Sequence, residues 1–211
     1  MYSIPAIFAL DPHEESEQDG GLLLFFSSCS EEQLRSAAVS RTAFCAAPSI
    51  ENPEEVIVCD DGGNAVVRYR SAHSPGKTEK ASSAFSVFRV CDFLCGLSAG
   101  WDLLLPEHSR LLVLSGIDLL CIFPPAALFD SFPLHEFARV RAAENQVFVS
   151  LFDPCRGDCF CWGPAGTAVP FQMDGTEKFF RLHRSEIFLE RKRTPLLSLR
   201  KKQLYHAVTI L

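Results

Sequence analysis

The stretch that decides the fold reads Glu55-Val56-Ile57-Val58-Cys59-Asp60-Asp61-Gly62-Gly63-Asn64-Ala65-Val66-Val67-Arg68-Tyr69. Two short runs of β-prone residues flank an acidic turn that contains glycine, and this pattern predicts a β-hairpin. A phenylalanine-rich run from Ser83 to Leu97 follows, with apolar residues at three- and four-residue spacing, which predicts a helix. The local plan is therefore a hairpin followed by a helix.

The same plan recurs further along the chain. Leu111–Leu114 and Leu119–Phe123 flank a second glycine turn, and the predicted helix Leu128–Val140 follows. In a fainter copy, Gln146–Phe152 and Asp158–Trp162 form the predicted hairpin. Because a unit of this size cannot bury its own apolar face, the copies are expected to pack together. We predict an α+β fold, with a mixed or antiparallel sheet built from repeated hairpin–helix units in a single compact domain.

The predicted domain organisation divides the chain near residue 51. Residues 1–51 are interpreted as an N-terminal appendage that contains a strand, an acidic loop and a helix, and Ser28 and Glu31 form a capping-box pattern for that helix. Residues 52–211 are interpreted as the α+β body with a basic C-terminal segment. A chain of 211 residues with 47% apolar residues can bury a core without disulfide or metal support.

Charge and cysteine usage exclude several classes of protein. The net charge is −6, and the basic triplets Arg191-Lys192-Arg193 and Arg200-Lys201-Lys202 have no interleaved aromatic residue to stack on bases, so nucleic-acid binding is disfavoured. The acidic N-terminal and basic C-terminal segments would allow self-association. We expect neither secretion nor membrane insertion, because the first residues lack a basic signal region and Pro124-Pro125 interrupts the longest apolar run. Nine cysteines, an odd number, favour free thiols in the cytoplasm or nucleus.

One short motif suggests an enzyme as an alternative function. Gly96-Leu97-Ser98-Ala99-Gly100 matches the nucleophile elbow of serine hydrolases, and His183 or His206 could supply the base. An elbow follows a strand, whereas the helical spacing before Gly96 predicts a helix, so the context disfavours this reading. A small serine hydrolase that uses Ser98 is kept as an alternative.

A cluster of thiols suggests a second alternative, a zinc-stabilised adaptor. Cys155, Cys159 and Cys161 are closely spaced, but they do not form the two-residue knuckle of structural zinc sites. The alternating residues 158–162 are better explained as a strand in which cysteine is a small apolar residue. We therefore predict no cofactor and no metal site.

The C-terminal region supplies the predicted partner-binding residues. Val208-Thr209-Ile210-Leu211 fits the free C-termini that add a strand to a PDZ-type sheet, with Thr209 and Leu211 as the recognised residues. Arg191, Lys192 and Arg193 are the second predicted partner-binding group.

Two segments resemble a known family. The hairpin Glu55–Tyr69, followed by Phe85, Phe88 and Phe93-Leu94 before Gly96-Leu97, looks like the strand, acidic turn, strand and helix of the SUKH superfamily in its viral branch, found in betaherpesvirus tegument and early regulatory proteins. Leu111–Gly116 and Leu134–Phe137 look like a second pass of the same pattern. The resemblance covers residues 54–140.

The resemblance implies a non-enzymatic α+β binding module and transfers no catalytic residue. It implies a viral protein of the host cytoplasm or nucleus that binds a host protein and acts on host defence or gene expression. From the residues and the resemblance together, the predicted function is a non-enzymatic intracellular interaction or regulatory protein.

Overall fold

The computed structural model describes residues 6–11, 21–73 and 86–201, which form twelve strands, five α-helices and one 3-10 helix. The strands are β1 Ala6–Asp11, β2 Gly21–Phe25, β3 Phe44–Pro48, β4 Glu55–Cys59, β5 Ala65–Arg70, β6 Val87–Val90, β7 Phe93–Ala99, β8 Leu119–Phe123, β9 Phe148–Asp153, β10 Asp158–Trp162, β11 Phe171–Asp174 and β12 Glu177–His183. The helices are α1 Glu31–Arg41, the 3-10 helix Asp102–Leu104, α2 Pro106–Leu114, α3 Ala127–Ser131, α4 Leu134–Asn145 and α5 Arg184–Arg193.

The strands form two mixed sheets. The larger sheet has the order β11-β12-β1-β2-β3-β4-β5, and the smaller sheet has the order β10-β9-β8-β7-β6. In the smaller sheet the three central strands β7, β8 and β9 run parallel, and β6 and β10 close the two edges in the antiparallel sense. The predicted class, a mixed α+β fold in a single domain, is confirmed.

The two sheets pack face to face over an aromatic core. Phe8, Phe25, Phe123, Phe152 and Phe180 are fully or almost fully buried there, and their neighbouring ring centroids lie 4.8 to 6.0 Å apart. Such rings bury a large apolar area and need no hydrogen-bond partner, which explains why this chain uses phenylalanine so heavily.

Helices cover the outer faces of both sheets. Helix α1 buries Leu34 and Ala38 against the outer face of the larger sheet, and Ser30 and Gln33 form a reciprocal capping box at its start. Helices α2, α3 and α4 cover the outer face of the smaller sheet. The result is a four-layer α/β/β/α sandwich. No helix within residues 6–11, 21–73 and 86–201 has both the length and the apolar character needed to cross a bilayer.

Some predicted elements are confirmed. The hairpin β4–β5 has its turn at Asp60–Asn64, the hairpin β9–β10 follows the third predicted unit, and the predicted helix of the N-terminal region is α1, although Ser30 rather than Ser28 is its N-cap. The division between residues 51 and 52 stays a prediction. Strands β1 to β3 lie in the same sheet as β4 and β5.

Two predicted elements are wrong. The part of Ser83–Leu97 that the structure describes is the strand pair β6–β7 and not a helix, and Leu111–Leu114 belongs to helix α2 and not to a strand. Strand β7 is buried on both faces, so its sequence lacks the alternation by which a strand is recognised. The hairpin–helix repeat therefore does not describe the middle of the chain.

Candidate functional site

The candidate site lies where the carboxyl ends of β5 and β7 meet, at one edge of the sandwich. Strand β5 ends at Arg70 and is followed by Ser71, Ala72 and His73. Strand β7 ends at Ala99, and the chain then turns through Gly100 into the 3-10 helix that begins at Asp102. Because β5 packs against β7, the residues that follow the two strands become neighbours although they are about thirty positions apart in the sequence.

Asp102 is the centre of this site. Its side chain is fully buried and accepts hydrogen bonds from five groups, of which the shortest is from the phenol of Tyr69 at 2.7 Å on Oδ2. The other four donors are His73 Nδ1 at 2.9 Å, the backbone N–H groups of Ala72 and His73 at 3.1 Å each and that of Ala99 at 3.2 Å, and the Ser71 hydroxyl oxygen lies 3.2 Å away. A buried carboxylate is stable only when donors replace the lost water, and here they do.

Burial controls the protonation of the two rings behind Asp102. Burial, reinforced by the charge of Asp102, raises the pKa of the Tyr69 phenol far above its usual value, so Tyr69 stays a donor. Burial lowers the pKa of His108, and the nearby carboxylate of Asp102 only partly opposes this effect. His108 is therefore a neutral ring at neutral pH, and its Nε2 lies 3.2 Å from the carbonyl oxygen of Leu97.

His73 differs from these two rings because solvent reaches it. Its side chain is 43% exposed, while its Nδ1 bonds to Asp102 and its ring meets His108 edge-on at a centroid distance of 5.8 Å. If Nδ1 carries the proton that it donates to Asp102, then Nε2 carries the free lone pair. This arrangement can accept a proton from a bound water or substrate.

Gly100 and Ser71 fit together closely. Gly100 has a φ of +55°, and a Cβ atom placed on it would lie 2.7 Å from both Cβ and Oγ of Ser71. The Ser71 hydroxyl lies 2.8 Å from the carbonyl oxygen of His73, a shorter distance than its 3.2 Å to Asp102. Ser71 thus holds the turn that carries His73, and glycine at position 100 leaves room for it.

The same cluster offers the ligand types of a metal site. One ligand atom each from His73, Asp102 and His108 lies within 4.8 Å of the others. Two imidazoles and a carboxylate are a common donor set for zinc.

Ser98, the predicted alternative nucleophile, does not lie on a turn. It is a fully buried residue inside β7, and the tight turn comes two residues later at Gly100. A strand does precede the turn, contrary to the prediction, but Ser98 lies inside that strand and not at the turn. The hypothesis of a Ser98 hydrolase is therefore wrong.

The predicted thiol cluster is not gathered at one point. Cys159 and Cys161 point from β10 into the core, whereas Cys155 is exposed on the preceding turn. Burial raises the pKa of Cys159 and of Cys161 well above the usual value, so both stay protonated. This is the expected behaviour of structural cysteines, and the zinc-stabilised adaptor has no support here.

The predicted partner-binding residues have different environments. Arg191 is half-buried on α5, and burial lowers the pKa of its guanidinium, while Lys192 and Arg193 are exposed and Arg193 pairs with Glu190 at 2.8 Å. Thr209 and Leu211 lie outside the described residues. A partner-binding role for these residues stays a prediction.

A groove lies elsewhere, at the opposite edge of the larger sheet. It has a volume of about 440 Å³ between the segment 163–170 and the edge strands, and Phe171, Phe179 and Arg181 are among its lining residues. This groove does not contain the Asp102 cluster.

Sequence reasoning missed Asp102, His73, His108 and Tyr69. Their partners are distant in the sequence, and each residue alone is unremarkable. One signal was present: Gly100 interrupts a long apolar run, a carboxylate follows two residues later, and Pro106 then starts a helix at its first position. This is a strand, turn and helix with a polar residue at the turn.

The fold and the site together define the class of this protein: a four-layer α/β/β/α sandwich with a polar cluster at its strand ends. No family model and no curated protein matches the chain. Among solved structures, a carbon–nitrogen hydrolase from Helicobacter pylori G27 is similar with a TM-score of 0.65 and 16% identity, covering 84% of this chain and 74% of that one.

Two amidase structures are also similar to this chain. A cysteine-to-alanine mutant of the Nesterenkonia AN1 amidase, from the nitrilase superfamily, is similar with a TM-score of 0.63 and 19% identity over 97% of both chains. A glutamate-to-glutamine mutant of the amidase from Nesterenkonia sp. AN1, with the acetamide moiety of fluoroacetamide added covalently at its active-site cysteine, has a TM-score of 0.61 and 18% identity over 97% of both chains. The chain therefore has the fold of these carbon–nitrogen hydrolases.

This finding corrects the sequence-based assignment. The resemblance to the viral SUKH branch is wrong, because the fold is that of nitrilase-superfamily amidases. The prediction of a non-enzymatic viral interaction or regulatory protein is wrong with it, because the structures that share the fold are enzymes. Hydrophobic periodicity with a glycine turn is shared by many unrelated α+β proteins, so it could not separate these families.

The cysteines give the first testable prediction. Cys91 and Cys155 are exposed, and the remaining seven are buried, so only these two are expected to react rapidly with Ellman's reagent in the native protein. Burial raises the pKa of Cys29 to about 11 and that of Cys45 to about 12, which further slows reaction. We expect seven more thiols to react after denaturation. A Cys91→Ser/Cys155→Ser variant should lose the rapid phase, and a third rapid thiol would contradict the described burial.

Proposed function

We propose that this chain hydrolyses the carbon–nitrogen bond of an amide, with His73 as the general base and Asp102 as the carboxylate that orients it. The observation that carries the proposal is the 2.9 Å hydrogen bond between His73 Nδ1 and Asp102 Oδ1. It lies at the strand ends of a fold shared with amidases, and an exposed imidazole backed by a buried carboxylate is a recurrent arrangement in hydrolysis.

The proton path follows from the geometry. A water molecule at His73 Nε2 transfers a proton to that nitrogen while its oxygen bonds to the amide carbon. The charge of Asp102 stabilises the imidazolium that forms, and Nε2 then returns the proton to the leaving nitrogen as the C–N bond breaks. The sum is one amide and one water converted to a carboxylic acid and an amine.

The choice of water as the nucleophile rests on the other groups near His73. The groups that bond to Asp102 within the described segments are hydroxyl, imidazole and backbone amide groups, not thiols. Ser71 is almost fully buried and its hydroxyl lies close to the carbonyl oxygen of His73. Solvent, by contrast, reaches the His73 ring directly.

The test measures ammonia release from small amides. Butyramide and acrylamide occur in complexes of similar amidases, so they are reasonable first substrates. We expect His73→Asn to lower kcat by about 10²-fold or more, the usual contribution of a general base. The matched control is His183→Asn, at the end of β12 near the opposite edge of the larger sheet, which should retain the wild-type rate.

Two results would contradict the proposal. One is wild-type ammonia release no faster than the buffer blank for every amide tested. The other is an equal rate for His73→Asn and His183→Asn, with far-UV circular dichroism showing that both variants are folded.

A further inference from the structure

We infer that His73, Asp102 and His108 form a binding site for a divalent transition-metal ion such as Zn²⁺. We further infer that the bound ion inhibits the amide hydrolysis proposed above. The second statement rests on the proposed function, whereas the first concerns metal binding alone and stands or falls by itself.

The three ligand atoms lie near enough to reach one metal ion after a local rearrangement. His73 Nδ1 lies 2.9 Å from Asp102 Oδ1, and His108 Nε2 lies 3.9 Å from Asp102 Oδ2. A tetrahedral ion with bonds of about 2.0 to 2.2 Å separates its ligand atoms by roughly 3.3 to 3.5 Å. The two distances run to different oxygens of Asp102. With one ligand atom from each residue the three atoms lie within 4.8 Å of one another, so they must draw together by up to about 1.4 Å to reach that separation. The 43% exposed side chain of His73 can make the larger movement.

The ion would replace the proton in the hydrogen bond between His73 Nδ1 and Asp102 Oδ1. The hydrogen on Nδ1 lies between His73 and Asp102, and a metal ion placed there would bond to both atoms. Tyr69 Oη and the backbone N–H of Ala99 can keep their bonds to Oδ2 and hold the carboxylate in place. Such outer-shell donors orient the ligands of most protein metal sites.

The hydrogen bonds that Asp102 already accepts set a limit on the affinity. The ion must compete with backbone N–H groups of Ala72 and His73 for Oδ1. His108 must also give up its contact with the carbonyl oxygen of Leu97 when Nε2 becomes a ligand. These costs favour ions that bind imidazole strongly, such as Zn²⁺ and Co²⁺, over Mg²⁺ and Ca²⁺.

Metal binding changes which nitrogen of His73 carries the proton. When Nδ1 binds the ion, a neutral imidazole must carry its proton on Nε2. Nε2, the nitrogen that does not contact Asp102, then becomes a donor and cannot take a proton from water. The ion therefore removes the base without blocking the site.

The experiment uses the full chain, freed of metal with a chelator that is then removed. Zn²⁺ binding is measured by titration calorimetry, and Co²⁺ binding by its visible absorption, which is intense only in sites of low coordination number. We expect one ion per chain. His73→Asn and His108→Asn should each weaken binding at least 10-fold, and His183→Asn should not change it. Because His108 is buried, His73→Asn is the variant on which the conclusion depends if His108→Asn does not fold.

Each outcome tests a separate statement. Absence of Zn²⁺ binding, or binding that is unchanged in His73→Asn, overturns the metal site and leaves the proposed amide hydrolysis in place. One Zn²⁺ per chain, with loss of binding in His73→Asn, supports the metal site whether or not the protein hydrolyses amides. If the metal-free protein hydrolyses no amide, that result overturns only the proposed function and the inhibition. If amide hydrolysis is present, saturation with Zn²⁺ should lower it at least 10-fold, and an unchanged or faster rate overturns the inhibition.

Discussion

Replacement of Asp102 by alanine is expected to lower the free energy of unfolding by about 3 to 5 kcal/mol, the range found when one member of a buried charged network is removed. The reason is that five donors lose their acceptor at once, among them the phenol of Tyr69 and the backbone N–H of Ala99. Both groups are buried, so they lose their hydrogen-bond partner away from bulk solvent.

Urea denaturation followed by tryptophan fluorescence measures this effect, with the slope compared to confirm that the same surface unfolds. The matched control is Asp61→Ala, an exposed carboxylate in the turn of the β4–β5 hairpin, which should change stability by no more than about 0.5 kcal/mol. A loss of less than about 1 kcal/mol for Asp102→Ala would mean that the carboxylate is not the centre of the site.

Replacement of Gly100 by alanine is expected to lower the free energy of unfolding by about 2 to 5 kcal/mol. The left-handed backbone at φ +55° contributes about 1 to 2 kcal/mol of this, and the overlap of the new Cβ with Ser71 at 2.7 Å contributes about 1 to 3 kcal/mol. Any displacement of Ser71 also moves the turn that carries His73, so amide hydrolysis should fall in the same variant.

Gly175→Ala separates the two contributions. Gly175 has a φ of +61°, and a Cβ atom added there meets nothing within 4 Å, so this variant shows the backbone cost alone. The double variant Gly100→Ala/Ser71→Gly should recover about 1 kcal/mol or more relative to the additive expectation, because it removes the atoms that overlap. Equal losses of unfolding free energy for Gly100→Ala and Gly175→Ala would show that Ser71 moves aside without a loss of stability.

Local signals explain which elements could be predicted. The hairpin β4–β5 was predictable because Asp60 and Asn64 close its turn within the segment itself: Asp60 Oδ1 accepts the backbone N–H groups of Gly62 and Asn64. Helix α1 was predictable because its capping residues are adjacent to it. Both signals act over fewer than about five residues, so they do not depend on the rest of the fold.

The wrong predictions share a physical cause. Phe88 and Cys95 are seven residues apart, a spacing compatible with one face of a helix, yet both are buried in strands between the two sheets. A strand covered on both faces has no polar side, and its apolar run then fits either period. For Leu111–Leu114 the decisive signal was Pro106, which occupies the first position of helix α2.

The candidate site could not be predicted in the same way. His73 and Asp102 are 29 residues apart, and Tyr69 and Asp102 are 33 residues apart, so no window of sequence contains the cluster. The Gly-x-Ser-x-Gly pattern directed attention to Ser98, which is buried because both faces of β7 are covered. A motif is informative only when its structural context is also present.

The sequence by itself determined the α+β class, the phenylalanine-rich core and the elements whose turns and caps are local. Only the tertiary structure decided that the fold is that of carbon–nitrogen hydrolases and that a carboxylate, two imidazoles and a phenol meet at one edge of the sandwich. Local signals depend on a few covalently adjacent residues, whereas this cluster exists because β5 and β7 lie in facing sheets that pack together and bring distant strand ends close.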